Sequence, residues 1–305
     1  MRLIRHTIAC IILSTLTTGC FTGIESTPKI TASDVKKENI VITPEQTFLT
    51  DIKGEPFSKW TSGKRLFVTD NRISQLLVTP IDEPLQGKYI SFVDANTVRS
   101  ITGAPIIELR FNTPQGTTVA YRTDATMGDL EKRHEIDVPF TIEESVIKEV
   151  SSRLKGKTYY TTTLIWYDST GNSFKGRKFV PVTVTDVKPG NTVYPILLEM
   201  SDEKGDPFRL YMSVGSDLKA PRGFNNLFAF ADPRLKYPTI TDATWANIIN
   251  GKVARDMTRD ECRLSLGSPA QVDRRPGYSY LYEIWTYENG IYLVFEDGLL
   301  KEFRR

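Results

Sequence analysis

Residues 251–305 read GKVARDMTRDECRLSLGSPAQVDRRPGYSYLYEIWTYENGIYLVFEDGLLKEFRR, and this stretch carries the clearest start and stop signals in the chain. Thr258 and Glu261 have the spacing of a capping box, in which the threonine hydroxyl accepts from the backbone N–H of residue 261 and the glutamate accepts from that of residue 258. Gly267 followed by Pro269 is typical of the end of a helix. The pattern predicts a short helix between these signals.

After this helix the sequence changes to the alternation of strands, and Asn289-Gly290 and Asp297-Gly298 are turn dipeptides of two-residue hairpins. They predict a three-stranded antiparallel meander. The predicted register places Trp285, Tyr287, Tyr292, Val294 and Phe303 on one face, and Ile284, Leu293, Phe295 and Leu300 on the other. A second helix is predicted before Gly251, capped by Thr241 or Asp242, with Trp245, Ile248 and Ile249 on one face. Both faces of the sheet are apolar, whereas one pair of helices can cover only one of them. Trp285, Tyr287 and Tyr292 are therefore our candidate partner-binding face.

The same stretch resembles the SmpA/OmlA (BamE-like) family of small outer-membrane lipoproteins. The resemblance is carried by Met257-Thr258, Leu266-Gly267 with Pro269, Trp285-x-Tyr287 and Phe295-x-Asp297-Gly298. It implies two helices packed on a three-stranded antiparallel sheet, and a role in binding partners for outer-membrane protein assembly or envelope integrity. The same small fold occurs in secreted β-lactamase inhibitor proteins, so the resemblance leaves inhibition of an enzyme open as an alternative.

The N-terminus predicts export. Residues 1–19 are typical of a signal peptide, with Arg2 and Arg5 before an apolar stretch too short to span a bilayer. The following Leu-Thr-Thr-Gly-Cys sequence resembles a bacterial lipobox, which implies acylation of Cys20. We therefore predict an outer-membrane lipoprotein that faces the periplasm, held to the membrane by acyl chains, with exposure at the cell surface left open. A plain signal peptide followed by an incidental cysteine is the alternative.

Charge and cysteine content limit the function classes. The net charge is +2, and loss of Arg2 and Arg5 with the signal peptide leaves 37 basic and 37 acidic side chains. A neutral mature chain gives no electrostatic reason to bind nucleic acid. Cys10 leaves with the signal peptide and Cys20 is acylated, so Cys262 has no partner for an intrachain disulfide. We expect Cys262 to be a small core side chain.

The middle of the chain contains two copies of one β-rich pattern. Gly63, Gly87, Pro105 and Gly116 recur as Gly156, Gly176, Pro195 and Gly205, with offsets of 93, 89, 90 and 89. Near-constant offsets indicate an internal duplication. Short strands in this order normally close into small barrels, and a long loop before a meander resembles the Src-homology-type barrel.

We predict a mainly β chain: two tandem small antiparallel β-barrels followed by an α+β module. The predicted parts are a signal peptide (1–19), a tether (20–56), the first barrel (57–140), a connecting helix capped by Thr141 and Glu144 (141–155), the second barrel (156–215), a linker (216–240) and the SmpA/OmlA-like module (241–305).

Residues typical of catalytic and metal-binding sites are scarce. The mature chain has one histidine, His134, in a charged segment, and it contains no zinc spacing, phosphate loop or nucleophile elbow. We therefore expect no enzyme activity, no metal and no cofactor. A weaker candidate binding loop carries the aromatic residues Tyr159, Tyr160, Trp166 and Tyr167 of the second copy. An envelope protein is the expected partner, and a peptidoglycan-binding protein or hydrolase that holds glycan in its barrels is the alternative.

Overall fold

The computed structural model describes residues 42–133, 136–218, 220–276 and 281–304. The signal peptide, Cys20, His134 and most of the predicted tether lie outside these ranges. The described chain is mainly β, as predicted, and forms three antiparallel sheets. Within the described ranges, no helix is both long and apolar enough to cross a membrane.

The first sheet has five strands in the order β4-β3-β2-β1-β5. They are β1 (Arg65–Val68), β2 (Tyr89–Arg99), β3 (Pro105–Asn112), β4 (Thr118–Arg122) and β5 (Thr141–Glu143). Helix α2 (Met127–Lys132) and the 3-10 turns Phe57–Lys59 and Asn71–Leu76 belong to this part of the chain, whereas helix α1 (Pro44–Thr47) contacts the later helix Phe224–Leu227. Alternate residues of β3, such as Ile107, Leu109 and Phe111, are buried, so one face of this sheet makes a core.

The second sheet has seven strands in the order β12-β6-β9-β10-β11-β7-β8. They are β6 (Thr158–Thr161), β7 (Ile165–Tyr167), β8 (Ser173–Lys175), β9 (Pro181–Pro189), β10 (Ile196–Asp202), β11 (Pro207–Met212) and β12 (Phe228–Ala229). Helices α3 (Glu144–Leu154) and α4 (Phe224–Leu227) belong to this part of the chain, and Val150, Leu154 and Phe224 share its apolar core with Leu198 and Leu210.

The two sheets share one backbone pattern. In the first, Gly63 N–H donates to the Phe92 carbonyl and Phe92 N–H to the Lys64 carbonyl; in the second, Gly156 N–H donates to Val184 and Val184 N–H to Lys157. Each sheet also has a β-bulge at the corresponding place, which leaves Val93 unpaired in β2 and Thr185 unpaired in β9. These common features are what an internal duplication produces.

Neither sheet closes into a barrel in the described residues, so the prediction of two closed barrels is wrong. The long loop after the first strand does reach the fourth strand of its copy, through Leu77 opposite Tyr121 and through Tyr167 opposite Arg209. To close the barrel, the outermost segment of that loop would have to pair with the first strand of the same copy. Instead β5 occupies that edge of the first sheet and β12 that of the second.

The predicted connecting helix begins later than expected. Thr141 lies in β5, which pairs with β1, and the helix extends over Glu144–Leu154. Its N-cap is Glu143, without a side-chain cap bond, so the predicted capping box of Thr141 is wrong. Pairing with Leu66–Val68 fixes Thr141 as strand, because tertiary hydrogen bonds override a local capping preference.

Two segments predicted to be connections are packed into the fold. Leu49 and Ile52 are 2% and 3% exposed, so the end of the predicted tether belongs to the core of the second sheet. In the predicted linker, Phe224, Leu227 and Phe228 are buried there as well, while the 3-10 turn Pro233–Lys236 follows. The linker therefore docks on the second sheet by these apolar residues.

The C-terminal module pairs helices α5 (Asp242–Ile249) and α6 (Arg259–Leu266) with the third sheet. That sheet consists of β13 (Gln271–Pro276), β14 (Leu281–Thr286), β15 (Tyr292–Glu296) and β16 (Leu299–Arg304) in sequence order, so it has four strands where three were predicted. The predicted capping box of α6 is confirmed, since Thr258 Oγ1 accepts from Glu261 N–H and Glu261 accepts from Thr258 N–H. Cys262 is fully buried, as expected.

Candidate functional site

The predicted partner-binding face depended on the turn at Asn289-Gly290, and that turn differs from the prediction. Tyr287 N–H donates to the Ile291 carbonyl, so the loop has three residues and Gly290 has φ +81°. Trp285 then lies opposite Leu293. A shift of one residue moves every side chain of a strand to the other face. The second turn, at Asp297-Gly298, has the predicted two residues and pairs Glu296 with Leu299.

As a result, Trp285 and Tyr287 lie in the core. Trp285 is 0% exposed and its ring lies 4.8 Å from that of Phe295 and 4.9 Å from the Arg263 guanidinium. The Tyr287 hydroxyl donates to the Gly267 carbonyl at 3.1 Å. Tyr292 lies half-buried on the opposite face. These three side chains do not form one surface, and the predicted face is corrected accordingly.

The polar group beside Trp285 is structural too. Glu283 accepts from Trp285 Nε1 at 2.6 Å and from Arg259 Nη1 at 3.0 Å, and Arg274 Nε lies 3.3 Å away. Burial acts to raise the pKa of Glu283, but hydrogen bonds from these three side chains hold it below its usual value. The carboxylate is therefore charged and fully occupied, and it ties α6 to β13 and β14.

Cys262 is a protonated thiol inside the core of the C-terminal module. Burial raises the pKa of its thiol to about 12, so the thiolate that would act as a nucleophile is absent. Among the described residues, no cluster of three or more His, Cys, Asp or Glu side chains could hold a metal ion.

The four aromatic residues of the weaker candidate loop differ in exposure, since two are buried and two are half-exposed. Tyr159 and Trp166 are each 4% exposed, and Trp166 stacks on Phe208 with ring centroids 3.8 Å apart. A Cβ on Gly176 would come within 2.2 Å of the Trp166 ring, so this glycine allows the chain to pass over the indole. Tyr160 and Tyr167 are half-exposed, and Tyr167 is part of a second candidate surface.

We define the β11 face as the half-exposed side chains Tyr167, Tyr194, Arg209, Tyr211 and Arg222 on and beside strand β11. The rings of Tyr167 and Tyr211 are 5.0 Å apart and nearly perpendicular. The Arg222 guanidinium lies 5.5 Å from the Tyr167 ring centre and 5.8 Å from that of Tyr194. A cation near tyrosine rings is attracted to their electron-rich faces.

Arg222 has a strained backbone conformation and a partly buried charge. Its backbone has φ +60°, a region that residues with a Cβ seldom adopt. Its Nε donates to the Tyr211 carbonyl at 2.7 Å, but its Nη2 is enclosed and has no hydrogen-bond partner. Burial lowers the pKa of this guanidinium. Desolvating a charge without a counter-ion costs free energy, and so does the backbone conformation.

Only one other described side chain has enclosed polar atoms without a hydrogen bond. This is Glu83, and Lys88 Nζ lies 3.5 Å from its Oε1, so its charge is partly offset. Among the described ion pairs, none includes Arg222. The β11 face therefore holds a cation whose charge the described part of the chain leaves uncompensated.

A cavity of about 410 Å³ adjoins the β11 face. It is lined by Asp168, Ser169, Phe174, Thr185, Glu199, Met200, Pro207, Phe208 and Arg209. Arg209 belongs to both, and its guanidinium is occupied by Glu199 at 3.1 Å and by the Ser169 carbonyl at 2.6 Å. The recess is partly apolar, through Phe174, Met200, Pro207 and Phe208, and its carboxylates Asp168 and Glu199 already accept hydrogen bonds within the chain. Beside the positive charge of Arg222, it suits a ligand with an apolar group and an anionic group.

The first copy lacks this chemistry at corresponding positions. In the second sheet Leu197 lies opposite Tyr211. The residues 89 positions earlier, Glu108 and Arg122, lie opposite each other in the first sheet and form an ion pair at 2.9 Å. The first copy thus satisfies its own charges on this face, whereas the second presents an aromatic surface.

Sequence reasoning found Tyr167 and missed the rest of the β11 face. Arg222 lies in the predicted linker, Tyr194 lies just before β10, and Tyr211 lies near the end of β11. No spacing in the sequence links them, because strand pairing and the return of the chain after β11 bring them together.

No protein-family model, curated protein or solved structure matches this chain. The resemblance of residues 251–305 to SmpA/OmlA proteins therefore stays a prediction.

Proposed function

We propose that this chain is a non-catalytic binding protein of the bacterial cell envelope, anchored in the outer membrane through acyl chains on Cys20 and facing the periplasm. The observation that carries the proposal is the uncompensated Arg222 guanidinium among half-exposed tyrosines, because such a group binds an anionic ligand and, since it stays protonated at neutral pH, does not act as a general acid or base. An envelope protein is the proposed partner.

Sequence and structure support different parts of the proposal. The signal peptide and the lipobox-like residues before Cys20 support the proposed location in the cell envelope. The β11 face supports binding, since function is frequently found where backbone strain and unpaired charge coincide. The C-terminal module supplies the resemblance to envelope lipoproteins, and its core, with Trp285 and Cys262, supports a rigid attachment to the second sheet through Phe179.

We expect the Cys20→Ser variant to lose its fatty acid and its membrane anchor. Cells that express either form would be labelled with radioactive palmitate and then fractionated. The unchanged chain should carry label and sediment with outer membranes, because several acyl chains on one residue give stable anchoring. Label of equal strength on the Cys20→Ser variant, or an unlabelled unchanged chain in the cytosol, would contradict the proposed location. The Cys10→Ser variant is the matched control, since the predicted cleavage removes residue 10.

A further inference from the structure

We propose that the β11 face binds the terminal carboxylate of a peptide, with the carboxylate on Arg222 and an apolar side chain of the same peptide in the neighbouring cavity. This inference rests on the proposed binding function and names the chemistry of its ligand.

The free donors of Arg222 define the anion. Its Nε is occupied by the Tyr211 carbonyl, which leaves the edge formed by Nη1 and Nη2. A guanidinium edge matches the two oxygens of a carboxylate in a paired hydrogen bond. The nearest other arginine of the face, Arg209, is already paired with Glu199. One uncompensated positive charge matches the single negative charge of a carboxylate better than the double charge of a phosphate monoester.

The distance along β11 indicates a short peptide. Arg209 borders the cavity, and Tyr211, two residues later on the same side of the strand, provides the carbonyl that holds Arg222. Two residues of a strand span about 7 Å, which is also the spacing of alternate side chains in an extended peptide. A chain that ends at Arg222 can therefore place a preceding side chain beside Arg209, at the edge of the cavity. A volume of about 410 Å³ accommodates a large apolar side chain.

Binding requires a small movement. Nη2 is enclosed, so a neighbouring side chain must move to admit a carboxylate oxygen. Tyr167 and Tyr194 are half-exposed, and rotation of such side chains is fast and inexpensive. The incoming carboxylate then supplies the partner that Nη2 lacks, and the tyrosine rings shield the new ion pair from water.

The test uses the full mature chain, purified in detergent and immobilised. Two mixed-sequence hexapeptide pools are passed over it, one with free C-terminal carboxylates and one with carboxamides, together with stem peptides released from peptidoglycan. The variant Arg222→Asn removes the guanidinium, and asparagine tolerates positive φ. The control is Arg65→Gln, because Arg65 also lies over a tyrosine, Tyr89 at 4.0 Å, but is already paired with Glu144 at 3.0 Å.

We expect retention of the carboxylate pool, the stem peptides or both, and loss of retention for the carboxamide pool. Enrichment of the stem peptides alone would identify peptidoglycan as the source, and enrichment of the hexapeptides alone a protein C-terminus. Arg222→Asn should weaken binding by about 30-fold or more, with an unchanged or higher Tm, while Arg65→Gln binds as before.

Equal retention of carboxylate and carboxamide peptides, or no retention of any pool, would overturn the inference. So would an Arg222→Asn variant that binds normally, since the guanidinium would then not hold the ligand, or one that loses its fold, since Arg222 would then be structural. None of these results affects acylation of Cys20, so failure of this inference and failure of the proposed membrane anchor are distinguishable.

Discussion

The Trp285→Ala variant is expected to lose about 3–5 kcal/mol of unfolding free energy. Trp285 is 0% exposed, and its removal would leave a cavity beneath α6, remove the ring that the Arg263 guanidinium lies over and leave Glu283 without one of its donors. Urea unfolding of the purified chain measures the change, as a lower midpoint at unchanged slope.

Tyr292→Ala is the matched control for that experiment. Tyr292 is a large aromatic residue in the same sheet, but it lies half-buried on the face opposite the helices. Its loss should cost less than about 1.5 kcal/mol, well below the cost of removing a fully buried aromatic side chain. If Trp285→Ala unfolds at the same urea concentration as the unchanged chain, Trp285 is a surface residue and the observed register of β14 and β15 is wrong.

The second large effect is expected for Lys64→Met, again about 3–5 kcal/mol. The side chains of Lys64 and Glu143 are 7% and 9% exposed, and Lys64 Nζ lies 2.6 Å from Glu143 Oε2. Glu143 also accepts from Glu55 N–H, which fastens the segment before β1 to β5. Without Lys64 a buried carboxylate would lose its counter-ion, and this penalty exceeds the value of the methylene groups retained by methionine.

Two further variants separate the ion pair from the packing. Lys148→Met removes an exposed pair with Glu144 and should change stability by less than about 0.5 kcal/mol. Lys64→Met combined with Glu143→Leu should recover most of the lost stability, because two apolar side chains replace two desolvated charges. Additive losses in the double variant would show that the two residues contribute independently and would refute this account of the pair.

Local signals predicted the elements of the C-terminal module better than their arrangement. The capping box at Thr258 and the turn at Asp297-Gly298 formed as predicted, because both are closed by hydrogen bonds between residues three apart or fewer. The turn at Asn289-Gly290 took a third residue, and the face of Trp285 changed with it. Nothing local distinguishes these two turns; packing of Trp285 against α6 decides the register.

Local sequence signals predicted the arrangement of the candidate site even less well than that of the C-terminal module. Near-constant offsets indicated the duplication. The difference that gives the second copy its aromatic face is a pair of substitutions across strands, Leu197 and Tyr211 in place of Glu108 and Arg122. Arg222 comes from a segment that the sequence marked only as a connection. Its role follows from charge and enclosure, which only the folded chain defines.

Photocrosslinking at the β11 face in living cells tests the central claim most directly. A photoreactive phenylalanine analogue would replace Tyr211 in one strain and Arg122, the corresponding residue of the first copy, in another. Exposure to light should give a discrete adduct with an envelope protein or with peptidoglycan peptides at position 211 and none at position 122. No adduct at position 211, or equal adducts at both positions, would contradict binding by the β11 face.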